Sequence, residues 1–544
     1  MKHSNRNRGY LHGAAILAAA VAIVRVLGAI YRIPIADIIG AEGMGIFTIA
    51  ASIYTFLLLV STAGLPVALS RMVAAADSLG RPAQVRQVFV VGRNTFVAIG
   101  LVSFLIMAVF HRQLADFFGS PTAAYAILAL SPALFFVGLI SAYRGYCQGL
   151  SNMVPTSVSQ VIEALTRLIL GVGLAWLFVR WGFPPPIVVV GAILGTTLGP
   201  ALASVYLFFA KRRVDRARHV SSTLDTPDTN RRIFKNLGKI AVPLTLGASI
   251  FSFITILDNA VILRTLQGTV GLPYTEAQRL LGTYGMILPL FNLPMSFIIP
   301  IIVALIPAIS AFLAQGDHLS AKKTSESGIR VTCLLALPAG AGLTVLASPI
   351  MYVLFYGAGF TAQGPGLMAW MGVAAFFICF AQVVNCVLQA YGFQSYTMIT
   401  LPVGGLIKLG LTWWLLTVPG IGIYGAAIAM VACWVVISIM NVVLVKRKVP
   451  EPPSFLKVLV RPALCTIVMA FAAWASYGLL DTLLVGPLNT VLPMRLALAV
   501  PLTGAIALAM VIYLLLIIAT KALTREDMLM LPKGERLAKL LRVR

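Results

Sequence analysis

Apolar residues run in long stretches along this chain, separated by short polar connections. Fourteen such stretches stand out, at about 12–36, 45–70, 88–110, 122–146, 154–179, 186–210, 237–263, 281–313, 329–356, 366–391, 396–416, 421–445, 459–479 and 493–520, each long enough to cross roughly 30 Å of hydrocarbon as a helix. None shows the alternation over about ten residues that marks an outer-membrane strand. A bilayer core leaves the backbone no water to bond, so only helices or closed barrels span it. The pattern therefore predicts an all-α polytopic membrane protein with about 14 transmembrane helices.

Composition agrees. The 544 residues are 59% hydrophobic and 11% charged, against about 25% charged in soluble domains. The net charge of +24 would suit a nucleic-acid partner, but the basic residues gather in connections rather than on one face. They include Arg81 and Arg86, the run from Lys211 to Lys235, Lys322 and Lys323, Lys446 to Lys457, and the tail beyond Lys521. Basic connections mark the cytoplasmic side, so both termini are expected there and no nucleic-acid partner is expected. Lys2, Arg6 and Arg8 precede an apolar run without a small-residue cleavage site, which reads as a retained first helix. The six cysteines lie in or beside apolar stretches without metal spacing, and the five histidines are scattered. No phosphate-binding Gly-Lys-Ser/Thr loop and no His-Glu-x-x-His motif occurs, so neither an ATP-driven pump nor an enzyme is expected.

The longest polar interruption separates the sixth and seventh stretches. It predicts a first lobe of six helices over 1–210, a basic cytoplasmic linker over 211–236, a second six-helix lobe over 237–445, and two further helices with a basic tail over 446–544. Tyr146-Cys147-Gln148-Gly149 ahead of the fifth stretch matches Val387-Leu388-Gln389-Ala390 ahead of the eleventh, and at the same offset Arg167 aligns with Lys408. Paired repeats of this kind are common in secondary transporters. Pro289, Pro294, Pro300 and Pro307 in the eighth stretch, and Pro338, Gly340 and Gly342 in the ninth, are read either as interruptions of the helix or as ordinary membrane packing.

Candidate chemistry lies in the charges kept inside the membrane, each costing about 2.5–3.5 kcal/mol at a helix centre on insertion scales. Arg25 and Arg32 are two turns apart on one face; Arg71 closes the second stretch and Arg144 the fourth; Arg167 follows Glu163 by four residues in the fifth. Two readings stand for most of them. Arg32, Arg71 and Arg144 either snorkel to a boundary or face a substrate, and Glu163 and Arg167 either form a structural i, i+4 pair or contribute to a site. Arg25 stands about 20 Å into its span without a local acid. In the second half Asp258 and Lys408 are read as a charge pair, or Asp258 as a holder of a coupling cation or proton. The excess of arginine points to an anionic cargo.

Arg25-Val26-Leu27-Gly28 with Arg32, the stretch Gly64-Leu65-Pro66-Val67-Ala68-Leu69-Ser70-Arg71, and Arg144-Gly145-Tyr146-Cys147-Gln148-Gly149 running on to Ser159-Gln160-Val161-Ile162-Glu163 together resemble the polysaccharide-transport branch of the multidrug/oligosaccharidyl-lipid/polysaccharide exporter superfamily. The stage V sporulation protein B group and the MurJ-like lipid II flippases belong to that branch. The resemblance implies a two-lobed bundle working by alternating access in the bacterial plasma membrane. It implies an undecaprenyl-pyrophosphate-linked oligosaccharide such as lipid II as substrate, for cell-wall or spore-cortex peptidoglycan synthesis, with the wall-synthesis machinery as a further partner. Arg25, Arg32 and Arg71 match the arginines that would meet the anionic headgroup, and the last two helices would help form a groove for the lipid tail. No cofactor is implied; coupling to Na+, H+ or membrane potential is left open. Two departures stand out: Thr283 to Pro294 contains no arginine where the MurJ-type pattern has one, and Lys408 stands where some relatives place sodium-binding acids or amides. An ion-coupled drug or metabolite exporter of the same fold is the alternative, and it would call for acids rather than arginines facing the substrate.

Overall fold

The computed structural model describes residues 2–217 and 225–523. Residues 218–224 of the basic linker, with Arg218, and the basic tail from 524 onward lie outside the described residues. Among the described residues every regular element is helical. The chain forms two compact units, one of residues 1–264 with 272–282 and one of residues 265–271 with 283–544.

The first unit contains α1 (Lys2–Thr62), α2 (Leu65–Ser78), α3 (Pro82–Val109), α4 (His111–Phe118), α5 (Ala123–Gly149), α6 (Val154–Thr166), α7 (Val172–Arg180), α8 (Pro185–Ala217) and nearly all of α9 (Asn230–Gly268). It also takes the start of α10 (Tyr274–Phe291). The second unit follows with the rest of α10, α11 (Leu293–Ala314), α12 (His318–Val345), α13 (Ala347–Phe355), α14 (Gly364–Ala390), α15 (Thr397–Thr417), α16 (Tyr424–Lys448), α17 (Phe455–Asn489) and α18 (Met494–Ala519). The units divide the chain later than the linker, because Ile233, Leu237 and Ala241 of α9 pack with Leu69, Val85, Phe89 and Tyr146 of α2, α3 and α5.

Among the described residues, thirteen helical runs are long and apolar enough to cross a membrane. The first, Ile23–Ser78, has 56 residues, about 84 Å of helix, far more than one crossing needs. It is broken at Gly40, where φ is 68° and ψ is 178°, a conformation essentially confined to glycine. The break divides the run into two crossings, so the helices answer one for one to the fourteen apolar stretches. Proline positions behave unequally. The eighth stretch breaks once, at Asn292, so that Pro294 falls in the first turn of α11, where a missing N–H costs nothing. Asn292 Nδ2 donates to the Leu288 carbonyl at 2.8 Å across this joint. In the ninth, α12 runs through Pro338, Gly340 and Gly342 to Val345, and the break comes at Leu346 instead.

Each unit is organised around one buried helix. In the first it is α5, packed by α1, α2, α3 and α8; in the second it is α14, packed by α11, α12 and α16. They are the fourth and tenth crossings in chain order. In the second unit α17 and α18 pair with each other, and α17 leans on α12.

The described part of the linker is docked. Arg81 Nε meets Asp225 Oδ1 at 2.9 Å, Gln84 N donates to Asp225 Oδ2 at 2.9 Å, and Gln84 Nε2 donates to Asp228 Oδ2 at 3.0 Å. Asp225 thereby supplies the orphan donors at the start of α3 with an acceptor. The backbone N–H of Gln84, and after it the Arg81 guanidinium, hold the Asp225 carboxyl below its ordinary value. Because the folded value is depressed, the docking contributes above the ordinary carboxylate range and is lost as pH falls through the lowered value. Asp225→Asn should therefore speed hydrogen exchange across 225–230 at neutral pH, and the difference from wild type should vanish in acid. An unchanged exchange rate at pH 7 would remove Asp225 as the anchor.

Candidate functional site

The break at Gly40 has a consequence for α1. Arg32 and Phe47 are fifteen residues apart, which on an unbroken helix would separate them by about 22 Å. Instead the Arg32 guanidinium lies over the Phe47 ring, 5.1 Å from its centroid, the geometry of a cation–π contact. Beside it, the buried Tyr31 donates through its hydroxyl to the Ala192 carbonyl of α8 at 3.1 Å. Half-buried Asp37, five residues after Arg32, adds a carboxylate to α1 just beyond the first apolar stretch.

A second set of groups comes from α5 and α6. Arg144 donates from Nε to Ser159 Oγ at 2.9 Å and from Nη2 to Glu163 Oε1 at 2.7 Å. Ser159 and Glu163 are four apart and so share the helix face toward α5. The ion pair of Glu163 is thus with Arg144, and not with Arg167 at i, i+4. The helix changes register there: Arg167–Gly171 is a π turn inserted between α6 and α7. Such turns widen a helix locally and are frequent at functional sites.

Arg167 is therefore left with different company. Its charge and that of Arg32 act on Tyr31, and its charge acts together with Glu163 and Arg144 on Tyr54 of α1. Arg32 and Arg167 are close enough for their like charges to oppose one another. Arg167 Nε is buried with no hydrogen-bond partner among the described residues, as is Gln160 Oε1 two turns earlier on the same helix. A buried donor left open costs about 1–3 kcal/mol, more when charged. An anion or water that accepts from Arg167 would remove that cost.

The π turn is held from behind by α8. Gly191, Gly195 and Gly199 recur every four residues and lay the α8 backbone against α6 and α7. A Cβ at Gly195 would lie 2.4 Å from Gly171 N and 3.0 Å from the Arg167 carbonyl oxygen, and one at Gly199 would lie 3.1 Å from the Glu163 carbonyl oxygen. Close approach through small residues at this spacing is a general device of membrane helices. The sequence carried the signal as Gly-x-x-x-Gly-x-x-x-Gly. Gly195→Ala must push backbone from backbone, at an expected cost of about 1–3 kcal/mol, and should lower the thermal midpoint in detergent and displace Arg167. An unaltered midpoint and unaltered transport would mean that the ridge does not position the site.

Four candidates remain. Arg25 on α1 and Arg71 on α2 are exposed, and among the described residues neither pairs with an acid. Asp258 is buried in α9 of the first unit, and Lys408 is buried in α15 of the second. The six cysteines are buried and none is in a disulfide.

Several comparisons bear on this arrangement. The chain is 26% identical to the stage V sporulation protein B of Bacillus subtilis (strain 168), covering 96% of this chain and 98% of that protein. It is 25% identical to the lipid II flippase MurJ of the same organism, over 80% of this chain and 82% of that one. Among solved structures, a lipid II flippase MurJ in an inward closed conformation matches with a TM-score of 0.68 at 15% identity, covering 92% of this chain and 98% of the other. An inward-facing multidrug resistance MATE family transporter of the MOP superfamily matches at 0.63 and 17% identity, covering 80% and 98%. The helical architecture is therefore that of the MurJ and MATE transporters, and the chain is a multi-pass membrane protein. Residues 10–313, more than half of the chain, match the model of the polysaccharide biosynthesis protein family, and the protein belongs to that family.

Proposed function

We propose that this protein moves an undecaprenyl-pyrophosphate-linked oligosaccharide, of which lipid II is the leading candidate, across the bacterial plasma membrane. Its N-terminal lobe would take the anionic headgroup. The observation that carries this reading is the cluster of Arg144 and Arg167 with Arg32 close by, in which Glu163 engages Arg144 and the buried Nε of Arg167 has no hydrogen-bond partner among the described residues. Guanidinium forks replace the water around a pyrophosphate with charge-assisted bonds. Arg25 and Arg71, exposed on the same unit, would meet the headgroup on its way in or out. The polyprenyl tail stays in lipid throughout, so only the polar head needs a path. The relationship to a lipid II flippase and to a sporulation protein supports this cargo class, and wall or spore-cortex synthesis would consume the product.

Loop charge favours a cytoplasmic position for both termini. The energy would come from an ion gradient, the membrane potential, at about 2.3 kcal/mol per charge per 100 mV, or onward consumption of the cargo. Export of cationic drugs fits poorly with a site rich in arginine. The test is rescue of cells depleted of their own lipid II flippase, read as lipid II accessible at the outer leaflet. The wild-type chain should restore accessibility; a chain present in the membrane that leaves lipid II inside would remove this reading.

A further inference from the structure

The carboxylate of Glu163 occupies the group that an anionic headgroup would need. It accepts from Arg144 Nη2 at 2.7 Å, while Arg144 Nε donates to Ser159 Oγ at 2.9 Å. Nε and Nη2 make up one edge of the guanidinium fork, the kind of edge that receives an anion in two parallel bonds. In Arg144 that edge is divided between a hydroxyl and a carboxylate of α6. Arg167 follows Glu163 by one turn. The charges of Arg167, Glu163 and Arg144 all act on Tyr54 of α1, so the three groups converge on one place in the first unit. Both members of the Arg144–Glu163 pair stay partly exposed, within reach of an incoming ligand.

A diphosphate carries a charge on each phosphate and calls for more than one guanidinium. Arg144 can offer its divided edge only if Glu163 lets go. The backbone is held there: a Cβ at Gly199 of α8 would lie 3.1 Å from the Glu163 carbonyl oxygen, so α6 is packed closely on α8 at this turn. Rotation of the Glu163 side chain is the movement left to it. A tethered anion also meets a difficulty that faces any carrier of a charged head. Binding must be strong enough to draw the head out of water and weak enough to let it leave. A carboxylate on the same chain competes at a constant, high effective concentration. It lowers the affinity of the site by a fixed factor, and it is at hand to retake Arg144 once the phosphate begins to leave.

We propose, resting on the reading of an anionic lipid as cargo, that Glu163 stands in for the cargo's phosphate when the site is empty. It is displaced from Arg144 as the diphosphate enters and returns to Arg144 to release it. Glu163 thereby sets how tightly the headgroup is held and how fast it departs.

The test is equilibrium binding of undecaprenyl pyrophosphate, and of the neutral alcohol undecaprenol, to the full chain purified in detergent, together with outer-leaflet exposure of lipid II in depleted cells. Glu163→Gln removes the charge and keeps a carbonyl acceptor for Arg144. It should bind the pyrophosphate about tenfold more tightly than wild type, roughly the worth of one charge-assisted bond, with undecaprenol binding unchanged. Exposure of lipid II should fall several-fold, because release is slowed. Glu163→Asp, which restores the charge, should lose most of the gain in affinity. A purely structural effect would shift both lipids alike, or shift both variants alike, and either result would overturn the proposal. So would pyrophosphate binding in Glu163→Gln no tighter than in wild type, or tighter binding with exposure at the wild-type rate. Equal binding of the two lipids by wild type would remove the anionic cargo and the exchange together. A wild-type preference that Glu163→Gln fails to sharpen would remove the exchange alone.

Discussion

Replacing Arg167 with glutamate is expected to lower the arrival of lipid II at the outer leaflet by at least about 100-fold, with the protein still in the membrane. A charge-assisted bond to phosphate contributes about 1.5–3 kcal/mol. Reversal removes that bond, and it places a second carboxylate one turn from Glu163, where the headgroup would meet repulsion in place of attraction. At about 1.4 kcal/mol per factor of ten, the lost bond and the added repulsion together exceed two decades. Arg167→Lys should retain part of the rate, falling roughly tenfold, because an ammonium keeps the charge but not the planar fork. The measurement is the rate of outer-leaflet exposure in depleted cells, normalised to protein in the membrane fraction. Glutamate performing as well as arginine would show that Arg167 does not touch the cargo.

The second large effect concerns the pair behind it. Arg144→Ala leaves Glu163 half-buried without its cation and takes the donor from Ser159 Oγ. Removing one partner of a fully buried pair costs about 3–5 kcal/mol. Here both side chains keep nearly a fifth of their surface exposed, 18% and 19%, so a smaller loss of about 1–3 kcal/mol is expected after solvent screening. Removing the acid as well, in Arg144→Leu with Glu163→Leu, should restore much of the thermal midpoint because the stranded charge is gone. Transport should stay low in the double variant, since a guanidinium has been lost from the cluster. A double variant as unstable as Arg144→Ala would mean that the single substitution acts through packing, and full transport in it would place the pair outside the mechanism.

These two cases also show what the residue pattern disclosed and what it did not. The apolar stretches marked every crossing, because a segment in hydrocarbon has no alternative to a helix of about twenty residues. Pro294 was readable as a break, since a proline in a first turn is compatible with a new helix. Pro338 was not, because α12 closes around it among buried neighbours such as Leu334 and Ala336. The arginines were visible as charges in the wrong solvent. Their partners were harder to read: i, i+4 spacing offered Arg167 as one possible partner for Glu163, whereas Arg144 reaches Glu163 from another helix and a π turn begins at Arg167. A π turn has no residue signature. The glycine ridge of α8 did have one, and it locates the backbone against which that turn is set. Tyr31 and Tyr54 became part of the site only when α1 and α6 were brought side by side.

The central claim is that guanidinium groups in the first unit stand in for water around a diphosphate. It is tested most directly by equilibrium binding to the purified chain in detergent, comparing undecaprenyl pyrophosphate with the neutral alcohol undecaprenol. The account predicts that wild type prefers the pyrophosphate by at least about 100-fold, two charge-assisted contacts' worth, and that Arg144→Gln with Arg167→Gln reduces the preference to within a few-fold. Equal binding of the two lipids by wild type, or an undiminished preference in the double variant, would contradict it.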